Sequence, residues 1–465
     1  MNKSKHYHLV GVGGIGMGTL ASLLLDKGYQ VSGSDVKENE LTALLKKKGA
    51  NIFIGHHVEN IRGAHCVVYS SAIRVTNPEM IEAVSRKVPL LKRAELLAEL
   101  VNQQTGITIA GAHGKTTTTS MVSHLLLKAG LNPTTAAGGI INGDTAYNAN
   151  LGAGTYFVAE VDESDGTFLY FTPRYSIITN IDFEHVDFYK NWDNIIAAYR
   201  KFIQRTRKDG CVIVCGEDPR LKQLVTEENI SSVTYGFQSH FDVCAQDVSV
   251  DGYSSRFDCY HQKKKLGEVR LVVPGRHNVL NAMAAIALGL KLNIPFETIS
   301  ASLKTFSGVK RRFQLKGSFD DMMVVDDYGH HPTEIMATLS AAKSFHKKRL
   351  VVVFQPHRYS RTKLLMDDFV KSLKLSDHLI VTDVYAASEK PSEGADTREL
   401  YAKIQKEYGA SAIYLKKDKI LDHLLEEARP GDLILTLGAG DVTQLSDQFV
   451  AAWQKQHPSG AATQK

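Results

Sequence analysis

The sequence is short of several features that would each have fixed its class. It has five cysteines, Cys66, Cys211, Cys215, Cys244 and Cys259. Their number is odd, their spacing irregular, and no C-x-x-C pair occurs, which argues against a disulfide scaffold and against a zinc ribbon. No apolar run reaches the roughly 18 residues that a membrane-spanning helix needs. The opening stretch, MNKSKHYHLVGVGG, has too short an apolar segment for a secretory signal, so a cytoplasmic location is expected. There is no low-complexity tract and no repeat of fixed period. Charge of one sign is also scarce: 55 basic against 50 acidic side chains leave a net +5, mixed along the chain. That balance gives little basis for a nucleic-acid partner. The local cluster Lys310, Arg311 and Arg312 suits an anionic small substrate, or simply a solvated surface.

The chain does have length and pattern. At 465 residues and 43% apolar content, it is too long for one ordinary core and is expected to form two to four domains. Short β-branched runs such as ITIAGA, YSIITNI, CVIVCG, RLVVVFQ and DLILTLG alternate with longer helical patterns. This is the signature of parallel strands joined by crossover helices, an α/β fold. Three blocks are expected, at residues 1–103, 104–309 and 310–465. The second includes a section near 231–274 of short alternating strands, which reads as a small additional sheet.

Two glycine loops stand out. Gly11, Gly13 and Gly16 form G-x-G-x-x-G between the apolar strand HYHLV and the helical TLASLLLDKG. Asp35 follows 19 residues beyond Gly16, at the end of QVSGSD. Glycines let the backbone approach a pyrophosphate at a helix N-terminus, and the acid is placed to accept from a ribose hydroxyl. NAD, FAD and a UDP-sugar all carry a pyrophosphate, so the loop leaves the nucleotide open. In the second loop, TIAGAHGKTTTTSMV, the residues Gly111, Gly114, Lys115 and Thr116 give G-x-x-G-K-T. The usual P-loop has a further glycine where this chain has Ile109, so the loop is a shortened form. Backbone N–H groups of such a loop cradle phosphate, the lysine neutralises charge and the threonine hydroxyl can ligate Mg²⁺. Together the loops suggest a nucleotide-linked substrate processed at the expense of ATP.

Acids and histidines gather at strand ends, where open parallel sheets bind ligands. Glu160 closes TYFVAE and is followed by Asp162, Glu163, Ser164 and Asp165. Asn180 closes YSIITN and is followed by Asp182, Glu184, His185 and Asp187. Thr116 and Glu160, with His185 on a second ion, offer the ligands that phosphoryl transfer asks of Mg²⁺. In the third block, His330 and His331 lie in DDYGHHPTEI, and His357, Arg358 and Arg361 in FQPHRYSRT. Arginine binds carboxylates in bidentate fashion, which suits an amino-acid substrate. His277 and Asn278 open the helix HNVLNAMAAIALGLKL as a cap or a base contact.

The segments GVGGIGMG, GAHGKTTTT, EVDESDG, TNIDFEHVD, GRHNVLNAMAAIA, KRRF, DDYGHHPTEI and FQPHRYSRT follow one another along nearly the whole chain. In this order the chain resembles the Mur ligase family. The resemblance implies a Rossmann-like N-terminal domain for a UDP-sugar, a central P-loop ATPase-type sheet, and a Rossmann-like C-terminal domain that closes over the site. It implies UDP-N-acetylmuramate, L-alanine and ATP as substrates, joined through an acyl phosphate in peptidoglycan precursor synthesis, with Mg²⁺, two ions in number, and a monomer or weak homodimer. Gly11, Gly13, Gly14, Gly16, Asp35 and Ser70 would then hold the UDP-sugar. Gly111, Ala112, His113, Gly114, Lys115, Thr116 and Thr117, with His277, Asn278, Arg311 and Tyr328, would hold ATP. His330, Arg358 and Arg361 would hold the amino acid, and Thr116, Glu160 and His185 the metal. Lys115, Glu160, His185, Arg311 and Arg358 would carry the catalysis. Several relatives support the second metal with a carbamylated lysine. The helix IIAAYRKFIQR here has Arg200 and Lys201 near that place, and no carbamate is assigned.

Overall fold

The computed structural model describes residues 5–139, 149–319, 321–346, 348–387, 389–390 and 397–457. By its contacts the chain divides into two compact units. One comprises Met1–Gln246, Asp258–Val269 and Leu280–Phe306; the other comprises Asp247–Phe257, Arg270–Val279 and Ser307–Lys465. Each is described by itself.

The first unit opens with five parallel strands in the order Asn51–Ile54, Gln30–Asp35, His6–Val10, Cys66–Tyr69, Leu90–Lys92. His6–Val10 lies at the centre and is succeeded by the first glycine loop and the helix Ile15–Asp26. The chain then builds a second sheet around Thr105–Ala110, the strand before the P-loop. Tyr175–Ile178 pairs with it on one side and Tyr156–Glu160 on the other, both parallel. Cys211–Cys215 and Ser232–Gly236 continue the parallel run beyond Tyr175–Ile178. The short strands of the 231–274 section add on in series, so that one sheet of ten strands results. The order explains the chemistry below: the P-loop leaves a strand whose two neighbours end at Glu160 and at Ile178, just before Thr179 and Asn180.

The second unit carries six strands in the order Gln314–Phe319, Met322–Asp327, Leu433–Leu437, Leu350–Phe354, His378–Val381, Ala412–Tyr414. All neighbours are parallel except the first pair. Leu350, Val352 and Phe354 enter the core on one face of this sheet, and Val351 and Val353 the core on the other. A strand covered by helices on both faces has no polar side to show, hence the unbroken LVVVF. Burial of each such side chain contributes about 1.5–3 kcal/mol.

All five cysteines are free and buried. Burial pushes the thiols of Cys66 and Cys215 up to about 11 and that of Cys259 to about 12, so none is poised as a nucleophile. Among the described residues, no helix is long and apolar enough to cross a membrane.

Candidate functional site

The P-loop is shaped by glycines that nothing larger can replace. Gly111 has φ +126°, and a Cβ there would meet Thr179 Oγ1 at 2.2 Å and the Asn180 backbone at 3.0 Å. Gly114 caps the helix Lys115–Lys128 in a left-handed conformation, φ 83°. The loop is tied to the neighbouring strand end. The His113 amide donates to Asn180 Oδ1 at 2.9 Å, and Thr179 Oγ1 and Asn180 Nδ2 donate back to the His113 carbonyl at 2.6 and 3.0 Å. His113 Nε2 lies 2.8 Å from Asp182 Oδ2. The helix has no acid in its first turn, so its positive end is left for an anion.

Lys115 is the first residue of that helix. Its ammonium donates to the carbonyls of Gly111 (2.5 Å) and Ala112 (3.1 Å) and to Glu163 Oε1 (2.8 Å). Burial opposes the charge on Lys115, but Glu163, then Asp162 and Glu160, more than offset it and hold its pKa above the ordinary value. Burial likewise opposes the charge on Glu163, and Lys115, with His185 second, lowers its carboxyl to about 2. At neutral pH the pair is ionised.

The sequence offers Glu160 and His185 as ligands and does not single out Glu163 from its acidic neighbours. The structure pairs Thr116 Oγ1 with Glu160 Oε1 at 3.1 Å, and Gly138 N donates to Glu160 Oε2 at 2.8 Å. His185 falls elsewhere, with Glu163 and Glu184; one ligand atom from each of the three lies within 4.8 Å of the others. His185 holds a left-handed backbone, φ 56°, an unfavourable conformation for a side-chain residue and common at functional sites. Burial lowers its pKa, but Glu163 outweighs this and raises it. Glu163 Oε2 is buried with no hydrogen-bond partner. The Thr116 hydroxyl with the Glu160 carboxylate, and separately the Glu163 and Glu184 carboxylates with His185, are two oxygen-rich donor sets that fit Mg²⁺. Nothing in the DESD spacing tells which acid turns inward. Asp162 and Asp165 instead accept the backbone amides of Ser164 (2.9 Å) and Thr167 (3.1 Å) as loop caps. The side chain of Asp187 lies outside the described residues. Thr117 is buried in the helix below the loop.

Arg200 is not near these groups. It pairs with Glu227 and Glu228 at the C-terminal end of the next helix, at 2.6 and 2.5 Å. The buried neighbour is Tyr199, on whose hydroxyl Glu163 acts electrostatically.

In the first glycine loop, the structure gives Asp35 a use that differs from the expected ribose contact. Its Oδ2 accepts from the Gly13 amide at 2.8 Å and its Oδ1 from Val36 N at 2.8 Å. A Cβ on Gly13 would lie 2.8 Å from that same Oδ2, so loop and acid are packed for each other. Gly14 caps the helix Ile15–Asp26, which has no acid in its first turn. Arg93 lies across Gly16, its Cδ, Nε and Cζ 3.3–3.4 Å from where a side chain would begin. A guanidinium beside the positive end of a helix is repelled unless an anion joins them. Arg93 is therefore a further phosphate-side candidate, which no motif marks. Ser70 borders the loop at Gly11, its Oγ 3.9 Å from the same construction point.

In the second unit, three adjacent strand ends assemble the remaining residues. After Met322–Asp327 come Tyr328 and His330; after Leu433–Leu437 come Gly438 and Gly440; after Leu350–Phe354 come His357 and Arg358. Arg311 (φ 61°) donates to the carbonyls of Gly438 (2.8 Å) and Gly440 (3.0 Å). Its guanidinium lies 4.8 Å from the Tyr328 ring centre, a cation–π distance. Rings follow one another from Tyr328 to His330 (5.3 Å), to His357 (5.6 Å) and to Tyr385 (5.7 Å, near-parallel). Burial pushes His330 down to about 3, and burial with Arg361 and Arg358 pushes His357 down to about 4. Both rings are neutral at neutral pH. Arg361 NH1 lies 3.4 Å from His357 Nδ1. Arg358 caps the next helix, Tyr359–Leu364, at φ 69°, ψ 135°, a strained conformation held by the hydrogen bond its backbone N–H donates to the Tyr385 carbonyl at 2.9 Å. His331 is a helix cap, in a capping box with Glu334. Asn278 Nδ2 donates to the Pro274 carbonyl at 2.8 Å, and burial lowers His277 to about 4.

A P-loop lysine set among carboxylates at the ends of neighbouring parallel strands defines a nucleoside-triphosphate-handling α/β protein. Comparison narrows the class. The "Mur ligase family, catalytic domain" matches residues 6–105, the "Mur ligase middle domain" residues 109–289, and the "Mur ligase, glutamate ligase domain" residues 311–440. The chain belongs to the Mur ligase family, whose members use ATP. It is 47% identical to the UDP-N-acetylmuramate–L-alanine ligase of Geotalea uraniireducens, over 96% of this chain and 98% of that one. It is 46% identical to the enzyme of the same name from Desulfatibacillum aliphaticivorans, over 97% and 99%. Among solved structures, the UDP-N-acetylmuramate–alanine ligase of Thermotoga maritima matches with a TM-score of 0.83 at 32% identity, covering 97% of this chain and 99% of that one. A murein peptide ligase from Psychrobacter arcticus matches with a TM-score of 0.72 at 26% identity, covering 97% and 98%.

Proposed function

We propose that this chain is an ATP-dependent ligase that joins L-alanine to the lactyl carboxylate of UDP-N-acetylmuramate, in peptidoglycan precursor synthesis in the cytoplasm, as a monomer or weak homodimer. The observation that carries the chemistry is the end of the P-loop, where Lys115 and the buried Glu163 stand beside the pair Thr116–Glu160. The near-full-length similarity to alanine-adding ligases supports the choice of substrates.

In the first step a lactyl carboxylate oxygen attacks the γ-phosphorus of ATP. The bond to the β,γ-bridging oxygen breaks, ADP leaves, and an acyl phosphate forms. A carboxylate is a poor acylating agent, and phosphorylation gives it a leaving group. Lys115 and the amides at the start of its helix neutralise and orient the phosphate oxygens. Thr116 and Glu160 would hold one Mg²⁺, and Glu163, Glu184 and His185 a second. When bound, the metal neutralises phosphate charge and fixes its geometry. In the second step the alanine nitrogen attacks the acyl carbon, the carbon–oxygen bond to phosphate breaks, and inorganic phosphate and a proton leave. Arg358 and Arg361 bind the alanine carboxylate. His330 and His357 stay uncharged, so the approaching amine meets lone pairs rather than cations. Gly11 to Gly16 and Ser70 hold the sugar nucleotide, while His277, Asn278, Tyr328 and Arg311 serve the nucleotide end of ATP. These assignments follow the functional blocks 1–103, 104–309 and 310–465.

The test is ADP release with MgATP, UDP-N-acetylmuramate and each amino acid in turn. Release that needs the sugar nucleotide and is fastest with L-alanine supports the reading. Release only with a peptide acceptor moves the chain to a peptide-adding branch, and none under any combination removes the ligase reading.

A further inference from the structure

The first glycine loop rests on a carboxylate that neither motif predicts. Glu79, in the first turn of the helix Pro78–Ser85, is wholly buried. Its Oε2 accepts from Ser34 Oγ at 2.6 Å and lies 3.1 Å from His56 Nδ1. Its Oε1 accepts from Asn60 Nδ2 at 2.6 Å. His8, equally buried, brings Nε2 to 3.7 Å from Oε1 and bonds through Nδ1 to Ser32 Oγ at 2.8 Å. Burial opposes the negative charge, but the nearby His8 and the hydrogen bonds from Ser34 and Asn60 hold the carboxyl at about 2.

What these partners touch is the loop. The Ser34 carbonyl accepts both Gly11 N (2.8 Å) and Val12 N (3.0 Å), and Asp35 Oδ2 accepts Gly13 N (2.8 Å). Asn60 also donates to the Gly55 carbonyl at 3.1 Å, while Gly55 N donates to the Asp35 carbonyl at 2.8 Å. Three consecutive loop amides are thus held by two residues that Glu79 braces from behind, one through its hydroxyl and the other through Asn60 and Gly55. Stability alone is a weak reason for such a cluster, because apolar side chains of similar volume often do as well or better than a buried ion. Fixing a loop before its ligand arrives is a better reason, since it removes the ordering cost from binding.

We propose that Glu79 is a positioning residue for the sugar nucleotide: it fixes the end of the strand Gln30–Asp35, and through Ser34 and Asp35 the shape of the glycine loop that grips the diphosphate. This rests on the reading of that loop as the sugar-nucleotide site.

The experiment compares the wild type with E79Q and S34A. Glutamine keeps the size but turns an NH₂ group toward a donor; S34A removes one link and leaves the carboxylate in place. Expected for E79Q is a KM for UDP-N-acetylmuramate raised about tenfold, with the Kd for UDP, read by titration calorimetry, raised in parallel. The KM for ATP stays within about twofold and kcat within about threefold. S34A shifts the same two constants by about threefold, and carries the test if E79Q does not fold. A merely structural role would lower the active fraction and leave both KM values alone. Unchanged KM for the sugar nucleotide in the variants, or equal rises for it and ATP, overturns the proposal while the ligase reading stands. A wild type that releases ADP without need of the sugar nucleotide overturns that reading and this proposal with it.

Discussion

Replacing Lys115 by methionine has two separable consequences, one for turnover and one for stability. The ammonium and the Glu163 carboxylate are 2.8 Å apart, with side chains only 15% and 4% exposed. Removing one member of such a pair leaves a buried charge uncompensated, a loss of about 3–5 kcal/mol. The titration of Glu163 sets how that loss depends on pH. Its carboxyl is held at about 2 against an ordinary 4.5: burial pushes it up, and Lys115 most of all pulls it down. A carboxyl depressed in the folded state contributes stability above its unfolded pKa and loses it as pH falls toward the folded one. The contribution is therefore full at neutral pH and falls as the pH drops below the ordinary carboxylate range. In the methionine variant Glu163 lacks its main counter-charge and takes up a proton more readily, so the gap between wild type and variant narrows as pH falls through that window. Adding Glu163→Gln to the methionine variant removes the orphaned charge and should restore much of the loss, since replacing both partners costs far less than replacing one. The reporter is Trp192, in the first unit, with the chain's other tryptophan, Trp453, replaced by phenylalanine. Urea unfolding of the four proteins of the cycle at several pH values gives the coupling. A coupling below about 0.5 kcal/mol at pH 7, or one that does not weaken with falling pH, refutes this account of the pair. ADP release should vanish in the methionine variant; retained turnover would remove Lys115 from the γ-phosphate.

Three further outcomes follow from the geometry. Gly111→Ala places a methyl group 2.2 Å from Thr179 Oγ1 at a φ of +126°, and should lower stability by about 1–3 kcal/mol and abolish ADP release; thermal unfolding and turnover check both, and wild-type turnover would contradict the loop geometry. Arg358→Ala should raise the KM for L-alanine far more than that for ATP, and equal rises would place Arg358 elsewhere. Arg93→Ala should raise the KM for the sugar nucleotide by about tenfold and flatten its dependence on salt; unchanged values would leave Arg93 a packing residue over Gly16.

The strands were legible because burial imposes a pattern on them. In Leu350–Phe354 both faces are covered, so every position is apolar, and Cys211–Cys215 is buried at all five positions for the same reason. The strands between 231 and 274 read only as a small sheet. A short alternating strand shows which face is covered and not which edge it joins, and here the edge belongs to the central sheet. The two-unit division was illegible for a related cause: the second unit gathers Asp247–Phe257 and Arg270–Val279 from within the middle of the chain. No composition shift marks a segment that leaves a unit and returns.

Within the candidate site, legibility followed the distance between partners along the chain. The P-loop is local: Lys115 bonds to Gly111 and Ala112, four and three residues away, so glycine and lysine spacing alone suggests the fold of the loop. Glu163 meets Lys115 across 48 residues, and its own neighbours Asp162 and Asp165 are equally acidic, so its role depends on which side chain the turn sends inward. Glu79 is the extreme case. In NPEMIEAV it reads as an ordinary acid in the first turn of a helix, where a carboxylate favours the positive helix end, and Asn77 does cap that turn. Its partners Asn60, His56 and Ser34 stand 19, 23 and 45 residues away. They reach it only because Gln30–Asp35 is the second strand of a parallel sheet and Pro78–Ser85 packs near its end. A residue that acts by holding other residues leaves no motif, since its chemistry is complete only after the sheet has formed.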